Sequence, residues 1–427
     1  TLPGLQHAPA WLKNSLLVSQ PSWWVSAILG IIIIAVFYFT RSDSVSSVHP
    51  VPLKKDFPDE SFPRQLKSFC HVLRKDLEAI DEETDWSPNH YTELEAEVEI
   101  RKTRHSRGRK KVMGLQEAIR RDQKTGAFLV LGVPGSGKSV ALRKLAQDML
   151  AEVKRTNRVP IYVNLREWMP QITKVNGRTE FSVEDLEGFI IKNLSRRGDV
   201  FTTRFVANYF RKLWSSGRLF FIFDSFDEIS PLLDAREDSD VIHALSSVLG
   251  KFIASHPASR GLLASRIYRR PTSAFQAEKV LEIRPLSETH ITYALSHYPR
   301  FTPALRNTLF SQRQDLMPLA RNPFIMALLG EWIAGNDCLP VNQAEIYKNY
   351  IDERLKLCEE YLRESQITAQ EVIDVTTDIA WCVFHEPTLG LEAPVKAINA
   401  RPKSDKGATV PDIMRLAKHV RVSTGPA

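Results

Sequence analysis

The residues best equipped for chemistry stand together near the middle of the chain. Gly132, Val133, Pro134, Gly135, Ser136, Gly137, Lys138 and Ser139 satisfy G-x-x-x-x-G-K-[ST] without deviation. The glycines let the backbone curl so that successive N–H groups point inward at phosphate oxygens. A helix starting at the end of the loop adds the positive end of its dipole. Lys138 can reach β- and γ-phosphates, and the Ser139 hydroxyl can ligate Mg²⁺. The setting agrees: Ala127–Leu131 before the loop reads as an apolar buried strand, and Ser139–Lys154 after it as a helix carrying Val140 in its first turn. The pattern therefore predicts a nucleoside triphosphate site with Gly132 to Val140 as the phosphate cradle.

The other half of such a site is an acid at the end of a neighbouring strand. Leu219–Phe223 is wholly apolar and is followed by Asp224, at the carboxyl edge where parallel sheets hold their ligands. Asp224 is thus the expected second Mg²⁺ residue beside Ser139. Asp227 and Glu228 come next, placed to orient and partly deprotonate an attacking water. Acids favoured by the dipole of a following helix would look the same, and both readings can hold together. The run Gly261–Ala264 is a further strand and ends in Ser265-Arg266. An arginine at that edge can sense a γ-phosphate; beside Arg269 and Arg270 it also reads as an ordinary surface residue.

Positioning these groups needs a parallel sheet. Strands at Ala127–Leu131, Pro160–Leu165, Leu219–Phe223 and Gly261–Ala264 are separated by helical segments at Ser139–Lys154, Val183–Leu194 and Thr203–Ser215. That spacing predicts βαβ crossovers and an α/β fold with helices on both faces of the sheet. After about Leu286 only helical patterns continue. Ahead of the core, Gln65–Ile80 has apolar residues at helical spacing and Tyr91–Ile100 alternates like a strand. A basic run follows: Arg101, Lys102, Arg104, Arg107, Arg109, Lys110 and Lys111. With no interleaved aromatics, a solvated loop or hairpin is the plainer reading than contact with nucleic acid or lipid.

The chain has 427 residues and a formal net charge of +7, a mild basic excess that favours anionic surfaces and excludes little else. Cys70, Cys338, Cys358 and Cys382 lack the paired spacing of a zinc site or a disulfide framework. Trp23–Phe39 carries no charge, has Trp23, Trp24 and Tyr38 at its ends, and with Ser22 and Thr40 reaches across most of a bilayer core of roughly 30 Å. It lacks the basic leader and small-residue cleavage site of a signal peptide. Residues 22–40 are therefore expected to be a transmembrane helix. Lys13 on one side against Arg41, Lys54 and Lys55 on the other puts the long C-terminal part in the cytoplasm.

Taken in order, these elements resemble the NACHT family of the STAND class of signal-transduction NTPases. GVPGSGKS is its Walker A, and FFIFDSFDEIS is similar to its Walker B, although such motifs more often have Gly where Ser225 stands. LLASRIYRRP looks like the family's sensor strand, which carries the γ-phosphate role over to Arg266. In ARNPFIMALL, Pro323 matches the proline that family members place against adenine. The resemblance implies ATP or ADP as the nucleotide, and no guanine-reading NKxD motif appears. It also implies slow hydrolysis, with a closed ADP-bound state and an ATP-bound state that forms homo-oligomers. The trigger, a protein or a ligand, stays open, and defence against phage is an association of the family in bacteria.

The expected layout is an extracytoplasmic stretch at 1–21, a transmembrane helix at 22–40 and a juxtamembrane linker at 41–110. A P-loop NTPase core at 111–285, a helical subdomain at 286–345 and a partial winged-helix domain at 346–427 follow. The resemblance also implies a nucleotide-contacting histidine in the last region, for which His385 is a candidate by composition alone. Two other functions stay open: a membrane-tethered ATP-driven motor of the AAA+ kind, and a scaffold that holds nucleotide without hydrolysing it.

Overall fold

Most of the strand-forming runs are short and apolar, and the structure gathers them into one sheet. The computed structural model describes residues 62–83, 92–100, 109–175, 178–233, 239–364, 366–374 and 376–377. Contacts group these into two compact units. One holds the described residues up to His297 together with Ala320–Ala327; the other holds Tyr298–Leu319 and the described residues from Leu328 onward.

The first unit opens with helix α1 (Phe62–Glu83), the strands β1 (Glu95–Ile100) and β2 (Arg109–Gly114), and helix α2 (Leu115–Arg120). Then come β3 (Ala127–Gly132), α3 (Lys138–Ala151), β4 (Val159–Asn164) and a small hairpin of β5 (Thr173–Val175) and β6 (Arg178–Glu180). Helices α4 (Val183–Arg197) and α5 (Val200–Ser215) lead to β7 (Leu219–Asp224), α6 (Asp240–Ala254), β8 (Arg260–Arg266), β9 (Lys279–Ile283) and α7 (Glu288–Leu295).

The main sheet has the order β2-β1-β9-β3-β8-β7-β4. From β9 to β4 every pairing is parallel. The β1–β2 hairpin joins the β9 edge antiparallel. All six residues of β3 and of β7 are buried, as expected for parallel strands covered by helices. In β1, by contrast, Ala96 and Val98 are buried while Glu95, Glu97 and Glu99 are less so, which is the alternation read from the sequence.

One part of the sheet differs from expectation. The sequence reading assigned no strand to Lys279–Ile283, yet β9 pairs with both β3 and β1. Its polar residues, Lys279 and Glu282, break the apolar run that marks the other parallel strands. Of the basic run, Arg109–Lys111 lie in β2 with Arg109 paired to Ile100, as a hairpin reading expects, and 101–108 lie outside the described residues.

Helix starts follow capping chemistry. Ser182, Asp199, Ser239 and Ser287 each accept a hydrogen bond from a backbone N–H in the first turn of α4, α5, α6 and α7. The core between sheet and helices is aromatic. Trp214 stacks on Phe252 at 4.3 Å, and Phe221 meets both rings edge-on at 5.7 and 4.9 Å. Such pairs add about 0.5–1.5 kcal/mol each beyond the burial of their area. Helix α1 covers the expected Gln65–Ile80 and extends it at both ends. It buries Phe69, Leu73 and Leu77 one turn apart, with Phe69 stacked on Phe205 of α5 at 4.7 Å.

The second unit is helical among its described residues, with α8 (Pro303–Ser311), most of α9 (Pro323–Asn336) and α10 (Gln343–Leu357). Arg313 ties its loops together by donating to the Pro340 and Val341 carbonyls while its guanidinium pairs with Asp315. Gly330 permits α9 to lie against the Tyr298 ring, since an added Cβ would stand 2.2 Å from it. Among the described residues no helix is long and apolar enough to cross a membrane. The expected span at 22–40, the region 378–427 of the expected winged helix, and His385 all lie outside the described residues.

Candidate functional site

The site is assembled at the carboxyl ends of four adjacent strands. In the β3–β8 ladder Gly132 is paired with Arg266, and in the β4–β7 ladder Asn164 is paired with Asp224. Because β8 lies between β3 and β7, Arg266 sits between the phosphate loop and the acidic strand. This edge is where open α/β sheets bind their ligands.

Gly135 and Gly137 have φ of 73° and 78°, the left-handed region that side chains disfavour. A Cβ on Gly135 would stand 2.7 Å from Asn322 Oδ1, and one on Gly132 would stand 2.6 Å from Ser136 Oγ. The loop therefore admits no side chain at these places, and its backbone curls into the first turn of α3, which starts at Lys138. Lys138 Nζ donates to the carbonyls of Gly132 (2.9 Å) and Val133 (3.1 Å) and to Ser136 Oγ (3.3 Å). Burial lowers its pKa, and the carboxylates of Asp227 and Asp224 oppose that shift. Ser139 and Val140 are half-buried in the same turn.

Asp224 is nearly fully buried. Its Oδ1 accepts from the Ser225 N–H at 2.8 Å and its Oδ2 from the Tyr162 hydroxyl at 2.8 Å. Burial, followed by the neighbouring Asp224 carboxylate, pushes the Tyr162 phenol well above its usual range, so it remains a donor. Ser225 takes φ 61° and ψ 45°, which turns the chain sharply into the Phe226–Glu228 turn. That conformation is the physical reason a glycine suits this place.

Asp227 and Glu228 both grip Arg266. The Arg266 backbone N–H donates to Asp227 Oδ1 (3.0 Å), Nε pairs with Asp227 Oδ2 (2.9 Å), and Nη2 pairs with Glu228 Oε1 (2.9 Å). Asp227 is buried with both oxygens turned to Arg266, so its geometry is that of an arginine holder. The Glu228 carboxyl is raised above its ordinary range by burial and by the Asp227 charge, against the pull of Arg266 and Arg166. It is a stronger base than an exposed glutamate.

The structure thus brings Lys138, Ser139, Asp224, Asp227, Glu228 and Arg266 to one edge. Pro323 joins them: its Cβ lies 3.7 Å from where a Cβ on Gly137 would be. Sequence reasoning missed Tyr162 and Asn322. Asn322 donates to the Pro134 carbonyl at 3.0 Å, while its Oδ1 accepts from the Phe324 N–H at 3.0 Å and caps α9. Signals for both existed: a buried strand tyrosine needs a partner, and Asn before Pro marks a helix start.

Residues 127–300 match the NACHT domain. The NACHT match runs from β3 to just past α7, so the β1–β2 hairpin and Pro323 lie outside it. A comparison with curated proteins finds no match. Among solved structures the chain is similar to a crystal structure of a DNA replication initiation factor (11% identity, 72% of this chain and 91% of that one, TM-score 0.30). It is also similar to Caenorhabditis elegans PCH-2 (12%, 69% and 69%, TM-score 0.28) and to the Aeropyrum pernix ORC1 protein in complex with DNA (14%, 72% and 80%, TM-score 0.29). Likenesses this loose say nothing of what the chain binds.

The residues fit a magnesium nucleotide: a glycine cradle that side chains would fill, a helix N-terminus behind it, and a carboxylate fixed on each oxygen by one donor.

Proposed function

We propose that the chain is a membrane-anchored, ATP-binding switch of NACHT type that hydrolyses its nucleotide slowly and forms homo-oligomers in the ATP state. One observation carries the reading: the Arg266 guanidinium is shared between Asp227 and Glu228 while its strand position faces the first glycine of the phosphate loop. Phosphate bound in the loop competes with the two acids for this arginine. Gly132 to Val140 hold the phosphates, Lys138 leaves its loop carbonyls for the β- and γ-oxygens, and Pro323 lies against the base. Mg²⁺, if bound, would be held by Ser139 and Asp224 and would neutralise charge as it builds up on the phosphates. Moving Arg266 toward a γ-phosphate frees Glu228 to take a proton from water. In its absence the arginine returns to the acids. An arginine divided between the acids and the phosphate frees the base only part of the time, which accounts for slow hydrolysis, and its two positions define two states that nucleotide can bias.

Membrane anchoring rests on the apolar, aromatic-flanked run Trp23–Phe39, and a cytoplasmic NTPase on the basic residues after it. The test is to compare ATP and ADP affinities of the wild type and Arg266→Ala. A preference between the two nucleotides that disappears in the variant supports the switch. Equal affinities in the wild type, with fast turnover, would point instead to the motor.

A further inference from the structure

The metal aspartate is tied to the first helix of the unit through a chain of side chains, of which Asp81, Arg143 and Asp224 are buried and Tyr162 is half-buried. Asp81 on α1 pairs with Arg143 Nε of α3 at 2.5 Å, and both side chains are buried. Gln147, one turn further along α3, donates Nε2 to the other Asp81 oxygen at 2.9 Å. The Arg143 guanidinium faces the Tyr162 phenol closely enough to pull against the rise that burial causes, and the Tyr162 hydroxyl donates to Asp224 Oδ2 at 2.8 Å. Four side chains on α1, α3, β4 and β7 thus form one continuous line.

The direction of this line is fixed by valence. Arginine has donors only, so in its contact with Arg143 the Tyr162 oxygen must accept. The single hydroxyl hydrogen of Tyr162 is then left for Asp224, which as a carboxylate can only accept. Arg143 in turn needs a counter-charge, because its guanidinium is buried in the first unit, and Asp81 supplies it. The phosphate loop itself makes no part of the chain.

We propose that Tyr162, oriented by Arg143, is a positioning residue for Asp224, and that Asp81 makes this positioning depend on α1 being docked. The inference rests on the reading of Asp224 as an Mg²⁺ residue. Partners of this kind behind a metal carboxylate change metal affinity by about 10–100-fold when removed. The helix that carries Asp81 is the first described element after the apolar run Trp23–Phe39. Tension or release at that end of the chain would therefore be read at the metal rather than at the phosphate loop.

The experiment measures the affinity of the full chain for a fluorescent ATP analogue in EDTA, and the Mg²⁺ concentration that half-saturates ATP turnover. Tyr162→Phe is expected to raise that Mg²⁺ concentration about tenfold and to leave the EDTA affinity within about twofold. Asp81→Asn is expected to shift it in the same direction by less, and Asp81→Glu to recover part of the shift. A loss of EDTA affinity in step with the Mg²⁺ effect would mean general loosening and would overturn the positioning role. Unchanged Mg²⁺ dependence in Tyr162→Phe would overturn it as well. If Asp81→Asn does not fold, Asp81→Glu decides the α1 link: wild-type Mg²⁺ dependence there would sever it. A wild type that binds no nucleotide in either condition sinks the nucleotide reading itself, an outcome separate from all of these.

Discussion

Arg266 stands opposite Gly132 in the parallel β3–β8 ladder, so backbone pairing alone sets this residue beside the start of the phosphate loop. No flexible loop is needed to deliver it. What can change is the partner its side chain takes, and the structure pairs it with Asp227 and Glu228.

Removing that arginine should be felt in stability as well as in sensing. Arg266→Ala leaves the buried Asp227 carboxylate without its partner. Because the Arg266 side chain is itself about two-fifths exposed (39%), the loss is smaller than for a fully buried pair, about 1–2 kcal/mol. Urea denaturation should report it, and Arg266→Lys should recover only part, since lysine cannot engage both acids through one planar fork.

Glu228→Gln should cut turnover by about a hundredfold or more while nucleotide affinity holds. The pH dependence has a definite sign. Glu228 works as a base only when ionised, and burial with the Asp227 charge raises its pKa. Turnover should therefore fade with falling pH above the ordinary glutamate range. For stability the sign is the opposite one. A raised carboxyl contributes stability in its protonated form, and that contribution is lost as pH rises through the folded pKa.

Ser225→Gly should stabilise the protein slightly. The left-handed backbone at Ser225 disfavours any Cβ, so glycine relieves strain but loosens the unfolded chain, for a net gain of about 0.5 kcal/mol. Ser225→Val should cost more than 1 kcal/mol, roughly, because branching at Cβ worsens the same clash. Thermal unfolding of the pair separates the two effects.

Asn322→Ala removes one side chain that does two jobs, capping α9 and holding the Pro134 carbonyl. Loss of a cap costs about 1 kcal/mol. Nucleotide affinity should drop several-fold in the same variant, since the loop loses a tether at Pro134. Asn322→Asp should keep the cap and lose the tether, because a carboxylate cannot donate to a carbonyl. Its affinity should fall with little change in melting temperature.

The parts of the site that could be read in the sequence are those in which chemistry and spacing are local. Gly132 to Ser139 announces itself by its own pattern, and Asp224 by the apolar run in front of it. The four central strands were legible because buried parallel strands are continuously apolar, and β9 was not because Lys279 and Glu282 interrupt it. Tyr162, Arg143 and Asp81 are ordinary residues of a strand and two helices until the fold brings them into line. Nothing in the sequence around Asp81 says that it lies in line with Asp224, because 62 positions separate it from Arg143. The ion pairing of Arg266 was half visible: the residue was, its pairing with Asp227 and Glu228 was not.

The central claim is that this chain holds and slowly turns over a nucleotide through Lys138 and its loop. The most direct measurement is the nucleotide retained on purification, with the single-turnover rate of ATP hydrolysis, for the wild type beside Lys138→Ala. Retained ADP and slow hydrolysis in the wild type, both lost in the variant, is the predicted result. A wild type that retains no nucleotide and binds none on addition would contradict the account.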